Sequence, residues 1–143
     1  QTGKPEELHE NPASMFIGYF IGSPGLNMMD CSVAPDGTVS YNGTSFQISK
    51  KYASVILEHG NELTIGIRPE YVELFPNQEK NAMSGTVKLV EDTGAYKIVT
   101  VTMGSLDLKC RAPETMKVEE GHTAWLRFPE KDIKFFKDGK NIT

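Results

Sequence analysis

From residue 26 onward, apolar and polar residues alternate in short runs, which is the pattern of strands that bury one face. The alternation predicts strands at 27–33, 39–41, 45–48, 63–67, 86–89, 106–111 and 123–128. Asp36-Gly37 and Asn42-Gly43 separate the first runs, and such pairs favour tight hairpin turns because they accept positive φ at low cost. Many short strands divided by Gly and Asp turns indicate a mainly β fold, either a small barrel or a sandwich.

Helical periodicity occurs in only two parts of the chain. Four apolar residues recur at helical spacing within 15–20, and residues 50–59 form a second candidate helix before a stop signal. We therefore expect short N-terminal helices in a linker at 1–25, followed by a β domain at 26–143. A polar loop near 75–82 divides that domain into two predicted lobes, at about 26–75 and 83–143.

The alternation slips between Ile98 and Val99, inside the run at 96–102. Such a slip is typical of a β-bulge, and also of a strand that is buried on both faces. The residue pattern leaves both interpretations open.

Composition excludes several classes of function. The chain has 143 residues and a net charge of −4, so it lacks the excess of Lys and Arg expected of a nucleic-acid-binding barrel. Cys31 and Cys110 are too few for a disulfide framework and are predicted to be buried free thiols. The longest apolar run is far shorter than the roughly 20 residues that span a bilayer. These features predict a cytoplasmic protein, and the chain, which opens on Gln1, is expected to be part of a longer polypeptide.

The sequence carries no recognisable catalytic motif. No G-x-x-x-x-G-K-[ST] loop, which would cradle nucleotide phosphates, occurs in the sequence. Three His and two Cys are present, but their spacing matches no zinc pattern. We therefore predict no catalytic, cofactor-binding or metal-binding residues in this chain.

Five motifs, in order, connect the chain to a known family. They are Gly3-x-Pro5-x-Glu7-Leu8, Phe20-Ile21-Gly22-Ser23-Pro24, Gly66-Ile67-Arg68-Pro69-Glu70, Val90-Glu91-x-x-Gly94, and a closing group of Glu120, Gly121, Trp125, Phe128, Pro129 and Glu130. Together they resemble the region after the nucleotide-binding domain in ATP-binding subunits of bacterial sugar and glycerol-phosphate ABC importers.

The resemblance implies a fold and a role. The fold would be an OB-fold barrel related to molybdate-binding (MOP-like) modules, and the role would be non-catalytic regulation and dimerisation. Implied partners are the nucleotide-binding domain of the same subunit, a second copy, the membrane permease subunits and, in some members, a regulatory protein. ATP and Mg²⁺ would bind in the nucleotide-binding domain, and the protein would sit at the cytoplasmic side of the inner membrane.

The candidate contact residues are Arg68, Pro69, Glu70, Trp125 and Arg127. Arg68 and Glu70 would face a partner or an anion, or else pair with each other beside a turn that Pro69 fixes. Trp125 would stack on a sugar, cover a barrel face or lie at a dimer seam.

The alternative function is a sensor for small ligands or oxyanions, of the molybdate-binding type. Its donors would be Ser84-Gly85-Thr86 and Thr93-Gly94. The neighbouring carboxylates of Glu91-Asp92 argue against an anion site there.

Overall fold

The computed structural model describes residues 25–143, so nearly all of the predicted helical linker at 1–25 lies outside the described residues. The described part is mainly β, as predicted. Its strands are β1 Asn27–Val33, β2 Thr38–Tyr41, β3 Thr44–Gln47, β4 Glu62–Ile67, β5 Glu73–Phe75, β6 Met83–Asp92, β7 Tyr96–Met103, β8 Leu106–Pro113, β9 Thr123–Arg127, β10 Lys134–Lys137 and β11 Lys140–Asn141.

Helix is confined to short segments of the described chain. The α-helix α1 spans Lys50–Ile56 and continues as a 3₁₀ helix at Leu57–His59, so the helix predicted at 50–59 is confirmed. Two further 3₁₀ helices lie at Pro69–Tyr71 and Glu130–Asp132. Ser49 caps α1, because its hydroxyl accepts a hydrogen bond from the Tyr52 N–H at 3.2 Å.

The strands form two antiparallel sheets. The first sheet has the order β11-β10-β4-β1-β2-β3, and the second has the order β5-β9-β6-β7-β8. In the second sheet β5 also contacts β8, which means that the sheet curls round until its two edges meet. The second sheet is thus a curled half-barrel, in keeping with the mainly β, barrel-like fold that was predicted.

Each sheet takes strands from both halves of the sequence. β10 returns from the end of the chain to pair with β4, with Phe135 opposite Ile65. β5 leaves the first half and pairs with β9, with Leu74 opposite Leu126. The two lobes predicted at 26–75 and 83–143 thus exchange strands across their boundary, and their independence as domains stays a prediction.

One continuous core joins the two sheets. Fully buried residues come from the first sheet, such as Val39 and Ile65, and from the second, such as Val99 and Leu126. Phe46 on β3 meets Phe128, which follows β9, edge to face with ring centroids 5.5 Å apart. The sheets are therefore held by apolar packing between them.

The irregularity predicted near Ile98 lies elsewhere. β7 pairs with β8 without interruption through Ile98 and Val99. The register shift instead occurs in β6, between Val87 and Leu89. The middle of β7 is buried on both faces, because Thr100 is only 6% exposed. Burial on both faces, and not a bulge in β7, explains the slip in its pattern.

Two asparagine side chains bond to the backbone of a distant strand, one from strand β1 and one from the turn before β6. Asn27 donates to the Lys109 carbonyl at 2.7 Å and accepts from the Lys109 N–H at 2.9 Å. Asn81 makes the same pair of bonds to the backbone of Gln47, at 3.1 and 2.8 Å. Each amide occupies backbone groups of an edge strand, β8 and β3 respectively, which would otherwise be open to another strand.

Candidate functional site

Trp125 and Arg127 share the outward face of β9. Along this strand Ala124 and Leu126 are fully buried, and the intervening residues point to the opposite side. Trp125 and Arg127 are each partly exposed. Trp125 is therefore not part of the buried core.

Strands β5 and β6 complete this surface. Trp125 lies opposite Phe75 on β5 and opposite Ser84 on β6, while Arg127 lies opposite Glu73. We call the surface formed by Glu73, Phe75, Ser84, Trp125 and Arg127 the β5–β9 face. It combines two aromatic side chains with one ion pair, a mixture that is enriched at protein interfaces.

Arg127 is held in one position on the β5–β9 face. Its Nε donates to Glu73 Oε1 at 2.7 Å, and its Nη1 donates to the Lys80 carbonyl at 3.3 Å. Its guanidinium carbon lies 4.8 Å from the centre of the Phe75 ring. Because three neighbours fix the side chain, little conformational entropy remains to be lost when a partner binds.

The Arg68-Pro69-Glu70 corner is a locally paired turn. Pro69 opens a 3₁₀ helix that packs against β8. Arg68 donates from Nε and Nη2 to Glu70 Oε2, at 3.0 and 2.6 Å. Only 15% of the Arg68 side chain and 27% of the Glu70 side chain are exposed. The structure therefore contains the turn and the local ion pair, and a role of this corner in partner contact stays a prediction.

The two groups of candidate residues form separate clusters. Arg127 pairs with Glu73 on β5, whereas Arg68 pairs with Glu70 beside β8. Sequence analysis did not identify Glu73 or Phe75, because cross-strand partners leave no signal in the local pattern of a sequence. The roles of Asn27 and Asn81 were also missed, since an asparagine near a strand reads equally well as part of a turn.

The Thr93-Gly94 donors considered for an oxyanion are already engaged within the chain. The Gly94 N–H donates to Asp92 Oδ1 at 2.8 Å, and this bond holds the pKa of Asp92 below its usual value. The Thr93 hydroxyl accepts from the Tyr96 N–H at 3.2 Å. Ser84-Gly85-Thr86 lies at the other end of β6, roughly 25–30 Å away at about 3.3 Å per residue. Within one chain these two groups do not converge on a ligand.

Cys31 and Cys110 are buried free thiols. Burial raises the pKa of each thiol to about 12, and the Asp30 carboxylate adds to the effect at Cys31. Thiols in this state are poor nucleophiles and poor metal ligands. Within residues 25–143, no group of three or more His, Cys, Asp or Glu side chains is placed to hold a metal ion.

Comparison with known families decides what this fold is. The family model described as the TOBE domain matches residues 65–136, and the model described as the MalK OB fold domain matches residues 22–72. The chain belongs to the TOBE domain family. The two matches overlap within β4 and the Arg68-Pro69-Glu70 corner, where the first sheet passes into the second.

Curated relatives of this TOBE domain are import ATP-binding proteins. The sn-glycerol-3-phosphate import ATP-binding protein UgpC of Salmonella typhi is 34% identical over 145 residues, and that of Escherichia coli O157:H7 is 33% identical over 155 residues. Each alignment covers 98% of this chain but 38% of the relative. The chain thus spans well under half the length of these relatives.

A solved structure has a similar fold. The cytoplasmic molybdate-binding protein ModG, crystallised with molybdate bound, superposes with a TM-score of 0.59 at 14% identity. The match covers 77% of this chain and 94% of the ModG chain. At this identity the similarity concerns the fold alone. In the part of the TOBE domain that the structure describes, no helix is long and apolar enough to cross a membrane.

Proposed function

We propose that this TOBE domain is the non-catalytic regulatory and dimerisation domain of an ATP-binding subunit of a carbohydrate or glycerol-phosphate importer. The observation that carries the proposal is that 98% of the chain aligns with 38% of sn-glycerol-3-phosphate import ATP-binding proteins. The residues described here form two β-sheets, and the sequence contains no phosphate-cradling loop. ATP and Mg²⁺ would bind to the nucleotide-binding domain of the same subunit.

The proposal assigns partners accordingly. The domain would contact its own nucleotide-binding domain and a second copy of itself, and it would act on membrane permease subunits through the whole protein. It would work at the cytoplasmic side of the inner membrane, where a regulatory protein could also bind. Other OB folds bind nucleic acid, but the net charge of −4 gives no electrostatic reason to expect such binding here.

The β5–β9 face is the proposed contact between two copies. Trp and Arg are the residue types that most often dominate the energy of protein interfaces, and Trp125 and Arg127 lie side by side on this face. Arg127 is already ordered by Glu73. A stable interface would have to bury at least about 1,000 Å² in total, so the Arg68-Pro69-Glu70 corner is proposed as a second part of the contact.

The test compares Trp125→Ala with Thr123→Ala. Thr123 lies two residues earlier on β9, on the same outward face, and is a matched control. We expect a dimer that dissociates on dilution. Trp125→Ala should raise its dissociation constant by about 30-fold or more, since truncating a hot-spot residue costs at least ~2 kcal/mol. Thr123→Ala should change it little. Light scattering across a concentration series measures the association.

Thermal melting of the same variants provides the second measurement. Because Trp125 points away from the core, its loss should lower the melting temperature by much less than the loss of Leu126. A wild-type chain that stays monomeric at the highest concentrations would refute self-association through this domain. If the Trp125→Ala variant unfolds, the tryptophan stabilises the fold of the domain and is not a residue of the dimer contact.

A further inference from the structure

A groove crosses the outward face of the first sheet. Its volume is about 670 Å³, which is within the range of ~300–1,000 Å³ typical of small-molecule sites. Strands β1, β2, β4 and β10 form its floor, and the hairpin turns after β2, β7 and β10 form its rim. We call this surface the polar groove.

The floor of the polar groove carries hydroxyl groups next to carboxylates. Ser32 lies between Ser40 on β2 and Glu62 on β4, and Asp30 lies opposite Thr64. The Thr64 hydroxyl donates to Asp30 Oδ1 at 2.7 Å. These side chains share one face because they stand at alternate positions of neighbouring strands.

The rim joins the two sheets. The Tyr41 hydroxyl at the end of β2 donates to the Met103 carbonyl at 3.1 Å. Gly104, in the turn after β7, has φ +63 and lies so close to Asn42 that a Cβ there would overlap the asparagine amide. Ser105 follows in the same turn and lines the groove. The rim is thus built by close packing and needs no ligand to form it.

The charges of the polar groove indicate the class of ligand. Asp30, Glu62 and Asp138 contribute three carboxylates, against the single ammonium of Lys137. Lys137 also donates to the Glu62 carbonyl at 3.1 Å. An anion would therefore be repelled. A sugar hydroxyl both donates and accepts, so it fits a surface where carboxylate acceptors alternate with hydroxyl, amide and ammonium donors.

We propose that the polar groove binds a neutral polyhydroxylated molecule, a sugar or polyol. Faces of OB-type sheets are a known location for oligosaccharide binding. Since residues of both sheets line this groove, an occupant would bridge the sheets and stiffen one relative to the other. The inference goes beyond the proposed function and does not depend on self-association.

The test is an NMR titration of the 143-residue chain with maltose and with glycerol. We expect saturable shifts of the amides of Ser40 and Ser105, with dissociation constants in the millimolar range, because the groove is open to water. Thr64→Val and Ser40→Ala should each weaken binding by about tenfold, the effect of losing one well-formed hydrogen bond. Glu91→Gln, at an exposed position on the second sheet, should leave it unchanged.

Charged probes provide the contrary outcome. Sodium phosphate and spermidine are added separately at the same concentrations. The proposal would be overturned if phosphate or spermidine shifted the groove amides more strongly than maltose does. It would also be overturned if neither maltose nor glycerol gave a saturable shift. The titration is read at the groove of the wild-type chain whatever its oligomeric state, so its failure is distinct from a failure of dimerisation.

Discussion

Replacing Asn27 with alanine tests how the two sheets are joined. The Asn27 amide makes two hydrogen bonds to the backbone of Lys109, at 2.7 and 2.9 Å, in a partly buried position. Alanine removes both bonds. It also leaves the Lys109 N–H and carbonyl without the partner that covers them at the edge of β8.

The expected cost follows from the number and burial of these bonds. A typical hydrogen bond contributes ~0.5–1.5 kcal/mol net, and a backbone group left without a partner away from water costs ~1–3 kcal/mol. Because Lys109 is only partly buried, water replaces some of the lost bonding. We therefore expect Asn27→Ala to lower the free energy of unfolding by about 2 kcal/mol.

Urea unfolding measures this change. With a slope of ~1–3 kcal/mol per molar urea for a small protein, the midpoint should fall by about 1 M. Asn81→Gly is the matched control, since Asn81 makes the same two bonds to Gln47 on an exposed edge and has φ +59, which glycine accepts. Asn81→Gly should lower the free energy of unfolding by clearly less than Asn27→Ala does. A loss for Asn27→Ala that is no larger than that of the control would refute the argument from burial.

Three further changes test the core, the buried thiols and the helix cap. Leu126→Ala should lower stability by ~2–5 kcal/mol in thermal melts, because a fully buried side chain leaves a cavity. Burial raises the pKa of both Cys31 and Cys110 from 9.0 to about 12. The stability gained from the neutral thiols is therefore complete below pH 9.0 and is lost as the pH rises toward 12. Between pH 9.0 and 12 the double alanine variant should lose stability less steeply than the wild type. Glu130→Ala should cost about 1 kcal/mol in urea unfolding, since its carboxylate accepts from both the Ser49 N–H at 2.8 Å and the Ser49 hydroxyl at 3.1 Å.

Much of the first sheet could be predicted from local pattern. The run at 27–33 has the bounds of β1, and Asn42-Gly43 forms the predicted hairpin turn with φ of 47 and 82. These predictions succeed because alternation and turn chemistry are encoded within a few neighbouring residues.

Features that depend on distant partners could not be predicted. β10 has only two apolar residues, Phe135 and Phe136, and both are buried, so it shows no alternation. The sequence pattern also did not predict the strands on either side of the Asp138-Gly139 turn. The register shift between Val87 and Leu89 of β6 was not predicted, because it depends on pairing with a distant strand and the run at 86–89 alternates regularly.

The return of β10 to β4 also determines how this chain folds. β4 pairs on one side with β1, which precedes it, but its second partner, β10, is synthesised only after all strands of the second sheet. A long loop must therefore close before the first sheet is complete, which favours slow folding and a single cooperative transition. Until then the edge of β4 is exposed to other chains, and cleavage in the last strands would expose it again. We therefore expect the two segments matched by separate family models to fold together, and limited proteolysis should leave neither one intact without the other.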